Sequence, residues 1–144
     1  MNNNIEKYYK AIKKIYTNAT EYKWINIEGT NIGRKDLQLE NSMVYRDSYS
    51  TEANDSGLIV VISRIEYEEY DIDGEKIINM GYALTYIYLE KKPVKLKTIT
   101  SKEYSKYLLE NYDEFEDNNM PNLKEIYEIA KEKSLDLPED FFDI

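Results

Sequence analysis

The sequence predicts an α+β fold: an N-terminal helix, an antiparallel sheet with a long central hairpin at about residues 58–89, and two C-terminal helices packed on the sheet. Three observations carry this. Apolar residues recur at helical spacing near both ends of the chain. Residues 58–89 run apolar or alternate on either side of Asp73-Gly74, a hairpin-turn dipeptide. Thr100-Ser101-Lys102-Glu103 spells a capping box. The 144 residues suit a single domain, 1–144.

Taken in order, Ile5, Tyr8, Tyr9, Ile12, Ile15 and Tyr16 form one stripe, so a helix is expected from Asn4 to about Asn18, capped by Asn3 or Asn4. Its other faces carry Lys7, Lys10, Lys13 and Lys14. Residues 21–28 are aromatic and β-branched, which suggests a strand, and Gly29 and Gly33 bracket a turn. Weaker strand candidates follow at Leu37–Leu39 and Met43–Tyr49, then a loop over Thr51–Gly57.

A two-residue type I′ turn at Asp73-Gly74 sets a register. It places Ile59 opposite Tyr88, Val61 opposite Tyr86, Ser63 opposite Leu84, Ile65 opposite Tyr82 and Tyr67 opposite Met80, all on one apolar face. The other face, with Val60, Ile62, Arg64, Glu66 and Glu68, is apolar at the open end and polar toward the turn. Val94–Thr100 extends the meander as a third strand after Pro93. Tyr104, Tyr107, Leu108, Tyr112 and Phe115 mark the next helix. Pro121 suits the first turn of a last helix with Leu123, Ile126, Tyr127 and Ala130 inward, ending near Ser134. Phe141-Phe142 in the tail is expected to dock on the core.

The charge is uneven. The chain has a formal net charge of −9. Residues 1–102 balance to zero, while residues 103–144 hold 13 acidic side chains against 4 lysines. The densest stretch is Asp113-Glu114-Phe115-Glu116-Asp117, where carboxylates at a helix C-terminus do not help the helix. They serve either solubility or a basic partner. A second acidic set, Glu66, Glu68, Glu69, Asp71, Asp73 and Glu75, flanks the hairpin and reads as edge protection or as part of the same binding face.

Composition excludes several chemistries. With no Cys and no His there is no disulfide, no thiolate or imidazole metal site, and no His-dependent triad. The acidity argues against direct nucleic-acid binding. The longest apolar run, Leu58–Ile62, is far too short for a membrane span. With no leader visible, a cytoplasmic protein is expected.

The remaining motifs are weak. Asp71-Ile72-Asp73-Gly74-Glu75 departs from calcium-loop spacing. Gly29–Lys35 lacks the ending of a phosphate loop. Arg64, Glu66 and Glu68 alternate on one side near Lys76, a faint echo of a carboxylate-dependent hydrolase. The 15 tyrosines are explained first by AT-rich coding and second by binding surfaces.

The leading expectation is a non-enzymatic acidic binding protein, an inhibitor of a basic, nucleic-acid-binding protein. Toxin immunity proteins and phage-encoded anti-defence inhibitors share its size and charge. Its contacts would be Tyr112, Asp113, Glu114, Glu116 and Asp117, with Glu66 and Glu68, and no cofactor or metal. Self-association through the hairpin edge is open. The alternatives are a small-molecule or nucleotide binder with a pocket lined by Tyr67, Tyr82, Tyr86 and Tyr88 between sheet and helices, and a small carboxylate-dependent hydrolase.

Overall fold

Five strands in sequential order form one antiparallel meander. The structure is a computed structural model and describes residues 3–37, 43–53, 57–111 and 120–135, apart from the side chains of Asn3, Asn4 and Arg34. The elements are α1 (Asn3–Asn18), β1 (Ile25–Asn26), a 3₁₀ turn (Ile27–Gly29), α2 (Arg34–Leu37), β2 (Met43–Glu52), β3 (Leu58–Tyr70), β4 (Lys76–Leu89), β5 (Pro93–Thr100), α3 (Ser101–Glu110) and α4 (Leu123–Ser134). The predicted α+β architecture is present. The Phe141-Phe142 tail lies outside the described residues. Among the described residues no helix is long and apolar enough to cross a membrane.

Helix α1 buries Tyr9, Ile12 and Ile15, while Ile5 and Tyr16 at the ends of its stripe stay exposed. The strand expected over residues 21–28 shrinks to two residues. The Trp24 indole donates to the Ala19 carbonyl oxygen (2.8 Å), and the Asn26 side chain accepts from the Glu28 N–H to start the 3₁₀ turn. Leu37 is in no strand. It closes α2 fully buried, after the Asp36 carboxylate takes the Gly33 N–H at 2.7 Å.

The hairpin forms where expected but one residue out of the expected register. Leu58 faces Tyr88, Val60 faces Tyr86, Ile62 faces Leu84, Arg64 faces Tyr82 and Glu66 faces Met80. The loop holds three residues, Ile72-Asp73-Gly74, because Asp71 organises it. Asp71 N–H bonds to Glu75 O (2.9 Å), Gly74 N–H to Asp71 O (3.0 Å), and Asp71 Oδ1 accepts from Asp73 and Glu75 N–H. Gly74 sits at φ +80°, the left-handed residue that follows such a turn. The shift leaves the open end apolar on both faces, since every residue from Leu58 to Ile62 is apolar. It does move Tyr67 to the opposite face from Tyr82 and Tyr86.

Both faces of that open end are covered. On one, Val60, Ile62, Leu84, Tyr86 and Ile99 pack beneath α1, α3 and α4 through Ile12, Tyr104, Tyr107, Ile126 and Ala130. On the other, Val61, Ile65, Ala83 and Ile87 pack against Ile27, Ile32 and Leu37. The second cover is the segment read from sequence as turn and strand. Helix α3 starts with the predicted capping box: Thr100 Oγ1 accepts from Glu103 N–H, and Glu103 returns to the Thr100 N–H. Helix α4 is capped by Asn122, so Pro121 lies just before the helix rather than in its first turn, and is buried there.

Candidate functional site

Charged groups converge where β2 breaks its alternation. Tyr45 pairs with Ile65 and Ser48 with Ser63, so Arg46 and Asp47 together oppose Arg64. This is a β-bulge, which re-aims side chains and recurs beside functional sites. The signal in the sequence is the adjacent charged pair Arg46-Asp47 inside the strand.

The bulge assembles a compact network. Arg64 Nη2 lies 3.1 Å from Asp47 Oδ2, and Arg46 Nη2 donates to Glu66 Oε2 at 2.8 Å. Tyr127 on α4 donates its hydroxyl to the same Asp47 Oδ2 at 3.1 Å. The Tyr127 ring sits between Tyr49 and Tyr82, with centroids 5.7 and 5.2 Å away. Burial, then the negative charge of Asp47, push the Tyr127 hydroxyl well above the ordinary tyrosine value. The Glu66 carboxyl is held below its usual range by the hydrogen bond from Arg46. Two guanidiniums against two carboxylates leave the network neutral. A carboxylate held ionised in this way is a poor proton donor near neutral pH, which speaks against Glu66 as a general acid.

Beside the bulge, β1 stops at Asn26, so no described strand pairs the outer edge of β2 from Met43 to Ser48. A cleft of about 240 Å³ opens there between Ile27–Gly33 and Arg46–Ser48. It is small for a ligand site, since such pockets commonly run to about 300–1,000 Å³.

The predicted site residues divide into two groups. Tyr112, Asp113, Glu114, Glu116 and Asp117 lie outside the described residues; the helix leading to them ends at Glu110, capped by Asn111. Glu66 and Glu68 are on the exposed half of the hairpin, each neutralised. Glu66 pairs with Arg46, Glu68 with Lys76 (2.8 Å), and neighbouring Glu69 with Lys102 (3.1 Å). Glu66 faces Val44 of β2 on an inner stretch of β3, whereas Glu68 and Glu69 lie past Met43, where no described residue of β2 pairs with β3. Among the described residues no group of three or more Asp or Glu is arranged to hold a metal.

The other motifs resolve into local structure. The Asp71 carboxylate is spent inside the hairpin loop. In the Gly29–Lys35 loop, Thr30 Oγ1 takes the Ile32 N–H and Asp36 the Gly33 N–H, so those amides are not free to cradle a phosphate. The tyrosines mostly build core. Tyr86 is buried and donates to Tyr8 O at 2.6 Å, with the two rings 4.9 Å apart, and Tyr9 stacks on Tyr107 at 4.3 Å. Tyr88 stays partly exposed at the sheet margin.

Comparison with protein-family models, with curated proteins and with solved structures finds no match to this chain.

Proposed function

We propose that this chain is a non-enzymatic binding protein that sets its acidic C-terminal region on the basic, nucleic-acid-binding surface of a protein partner, as an inhibitor does. The observation that carries this reading is the asymmetry of charge: residues 103–144 hold the whole net charge of −9. The pairing of Glu66, Glu68 and Glu69 with cations sharpens it, because the hairpin adds little unbalanced charge. Asp113, Glu114, Glu116 and Asp117, with Tyr112, are then the main contacts with the partner, and Glu66 and Glu68 weaker ones. Such a field speeds encounter with a basic partner and repels nucleic acid, which competes for the same surface. A toxin-immunity or anti-defence inhibitor working in the cytoplasm has these needs.

The test is affinity capture with the tagged chain, before and after the combined changes Asp113→Lys, Glu114→Lys, Glu116→Lys and Asp117→Lys. Capture of a basic protein, lost on reversal and with an association rate that drops about tenfold or more, is expected. Capture that survives the reversal unchanged overturns the reading.

A further inference from the structure

The outer edge of β4 carries main-chain groups that nothing described pairs. Strand β5 joins β4 only from Ala83 onward, opposite Thr100. Just before it, the Tyr82 N–H points outward and is taken by Ser101 Oγ at 3.2 Å. Alternate residues of a strand point their N–H and C=O the same way, so Lys76, Ile78 and Met80 present theirs on this same open edge. No described strand, loop or side chain bonds to them there.

The edge carries one charge, Lys76, whose ammonium is held by Glu68 on β3 at 2.8 Å, and beyond it the usual defences are missing. Open edges are commonly blunted by charge or proline. From Ile77 to Leu89 the strand has no charged residue and no proline. Ile78 is 62% exposed and Met80 59% exposed, on one face. Glu66, Glu68 and Glu69 stand one strand back on β3, tied to Arg46, Lys76 and Lys102.

We propose that a second copy of this chain pairs with the open edge of β4, antiparallel and centred on Ile78. The edge is self-complementary in that register. The three free positions of each copy all find partners: Lys76 meets Met80 of the second copy, Ile78 meets Ile78, and Met80 meets Lys76. Each facing pair exchanges two main-chain bonds, about six in all. The register also sets apolar side chains together on the two-fold axis and puts no charge opposite a like charge. A register centred on Met80 would call on the Tyr82 N–H, which Ser101 already holds. The pairing uses none of the residues on which the proposed function rests, so it stands or falls separately from that reading.

The absence of cysteine from the chain allows a clean test. Facing residues of a bonded pair have Cα atoms about 5.5 Å apart, within disulfide reach. Ile78→Cys should therefore oxidise to a covalent dimer roughly fivefold or more faster than Met80→Cys, or than Ile72→Cys on the exposed loop. Sedimentation of the unmodified protein should show a mass that rises with concentration. Ile78→Lys, which keeps its circular dichroism spectrum, should hold it monomeric. Equal cross-linking at all three positions, or a monomer at concentrations up to about 1 mM, overturns the proposal. So does exchange protection of the Ile78 and Met80 amides that arises only when a different protein is added.

Discussion

Tyr127 on α4 and Asp47 in the β2 bulge are joined by a hydrogen bond of 3.1 Å, spanning 80 residues of sequence. Asp47 is also the partner of Arg64. One carboxylate thus ties a helix to two strands. Tyr127→Phe should cost about 0.5–1.5 kcal/mol in urea unfolding, the net worth of one hydrogen bond. Asp47→Ala should cost somewhat more, because it strands both the tyrosine and the guanidinium, though partial exposure of Asp47 and Arg64 tempers the loss. The double variant should cost less than the sum of the two. Strict additivity would show that the contact carries no coupling.

Burial predicts a sharp contrast between hydrophobic positions. Ile62 is fully buried between helices and sheet, while Ile72 at the hairpin tip is fully exposed. Ile62→Ala should destabilise by roughly 2–5 kcal/mol. Ile72→Ala should stay within about 0.5 kcal/mol of the parent. Denaturant midpoints at constant slope check both, and a large effect at Ile72 would mean that something covers the tip.

The hairpin loop depends on one backbone angle. An added Cβ at Gly74 meets no atom within 4 Å, so only its φ of +80° opposes a side chain. Gly74→Ala should then cost about 1–2 kcal/mol through backbone strain alone. The loss should fall on the ribbon tip, as faster amide exchange at residues 70–76, with the core unchanged. A cooperative loss of stability across the sheet would contradict this.

Alkali should unfold the protein through its tyrosines. The Tyr86, Tyr104 and Tyr127 hydroxyls are all pushed above the ordinary value, with burial as the leading cause. Below pH about 10 these groups are neutral whether the chain is folded or not, and stability is unaffected. Above it the unfolded chain ionises first, so stability falls as pH rises. Absorbance near 295 nm follows tyrosine ionisation and should be read beside the dichroism signal. The buried set should ionise only together with the loss of the far-ultraviolet dichroism signal. A single smooth titration of all tyrosines with structure retained would refute this.

In acid the sign reverses. Glu66 has a depressed pKa because Arg46 bonds its charged form. That pairing helps the fold above the unfolded carboxylate value and is lost as pH falls below about 4. Glu66→Gln should therefore flatten the acid limb of the stability profile slightly, as followed by chemical denaturation at stepped pH. An unaltered acid limb would show the pair to be silent.

Much of the fold was legible because its signals are local. The α1 stripe, the Thr100–Glu103 capping box and the inward face of α4 each state their structure within a few residues, and Asp73-Gly74 marks where the hairpin turns. What failed depended on atoms further off. The hairpin register turned on the Asp71 side chain bonding two loop amides, which lengthened the loop by one residue. An open end apolar at every position fits either register, so pattern alone could not choose. Leu37 resembled a strand residue because burial against the second sheet face, not helical periodicity, selects a leucine there. The bulge network was visible only as an interruption, Arg46-Asp47, whose partners Arg64 and Tyr127 lie far away in sequence. Tyr112, Asp113, Glu114, Glu116 and Asp117 remain a reading of composition.

Helices α1 and α4 share one core, with Ile12 and Ile15 gathered alongside Ile126 and Ala130 over the same face of the sheet. That gives assembly an order in time. A chain emerging from the ribosome can form α1 and the five strands early, but Val60, Leu84 and Tyr86 lack their full cover until residues past Ser134 have cleared the exit tunnel. Until then the nascent protein shows an oily sheet surface of the kind that chaperones hold and proteases find. Synthesis halted before Leu123 would leave that surface open for good. Helix α4 thus supplies cover that α1 and the strands alone do not give to Val60, Leu84 and Tyr86.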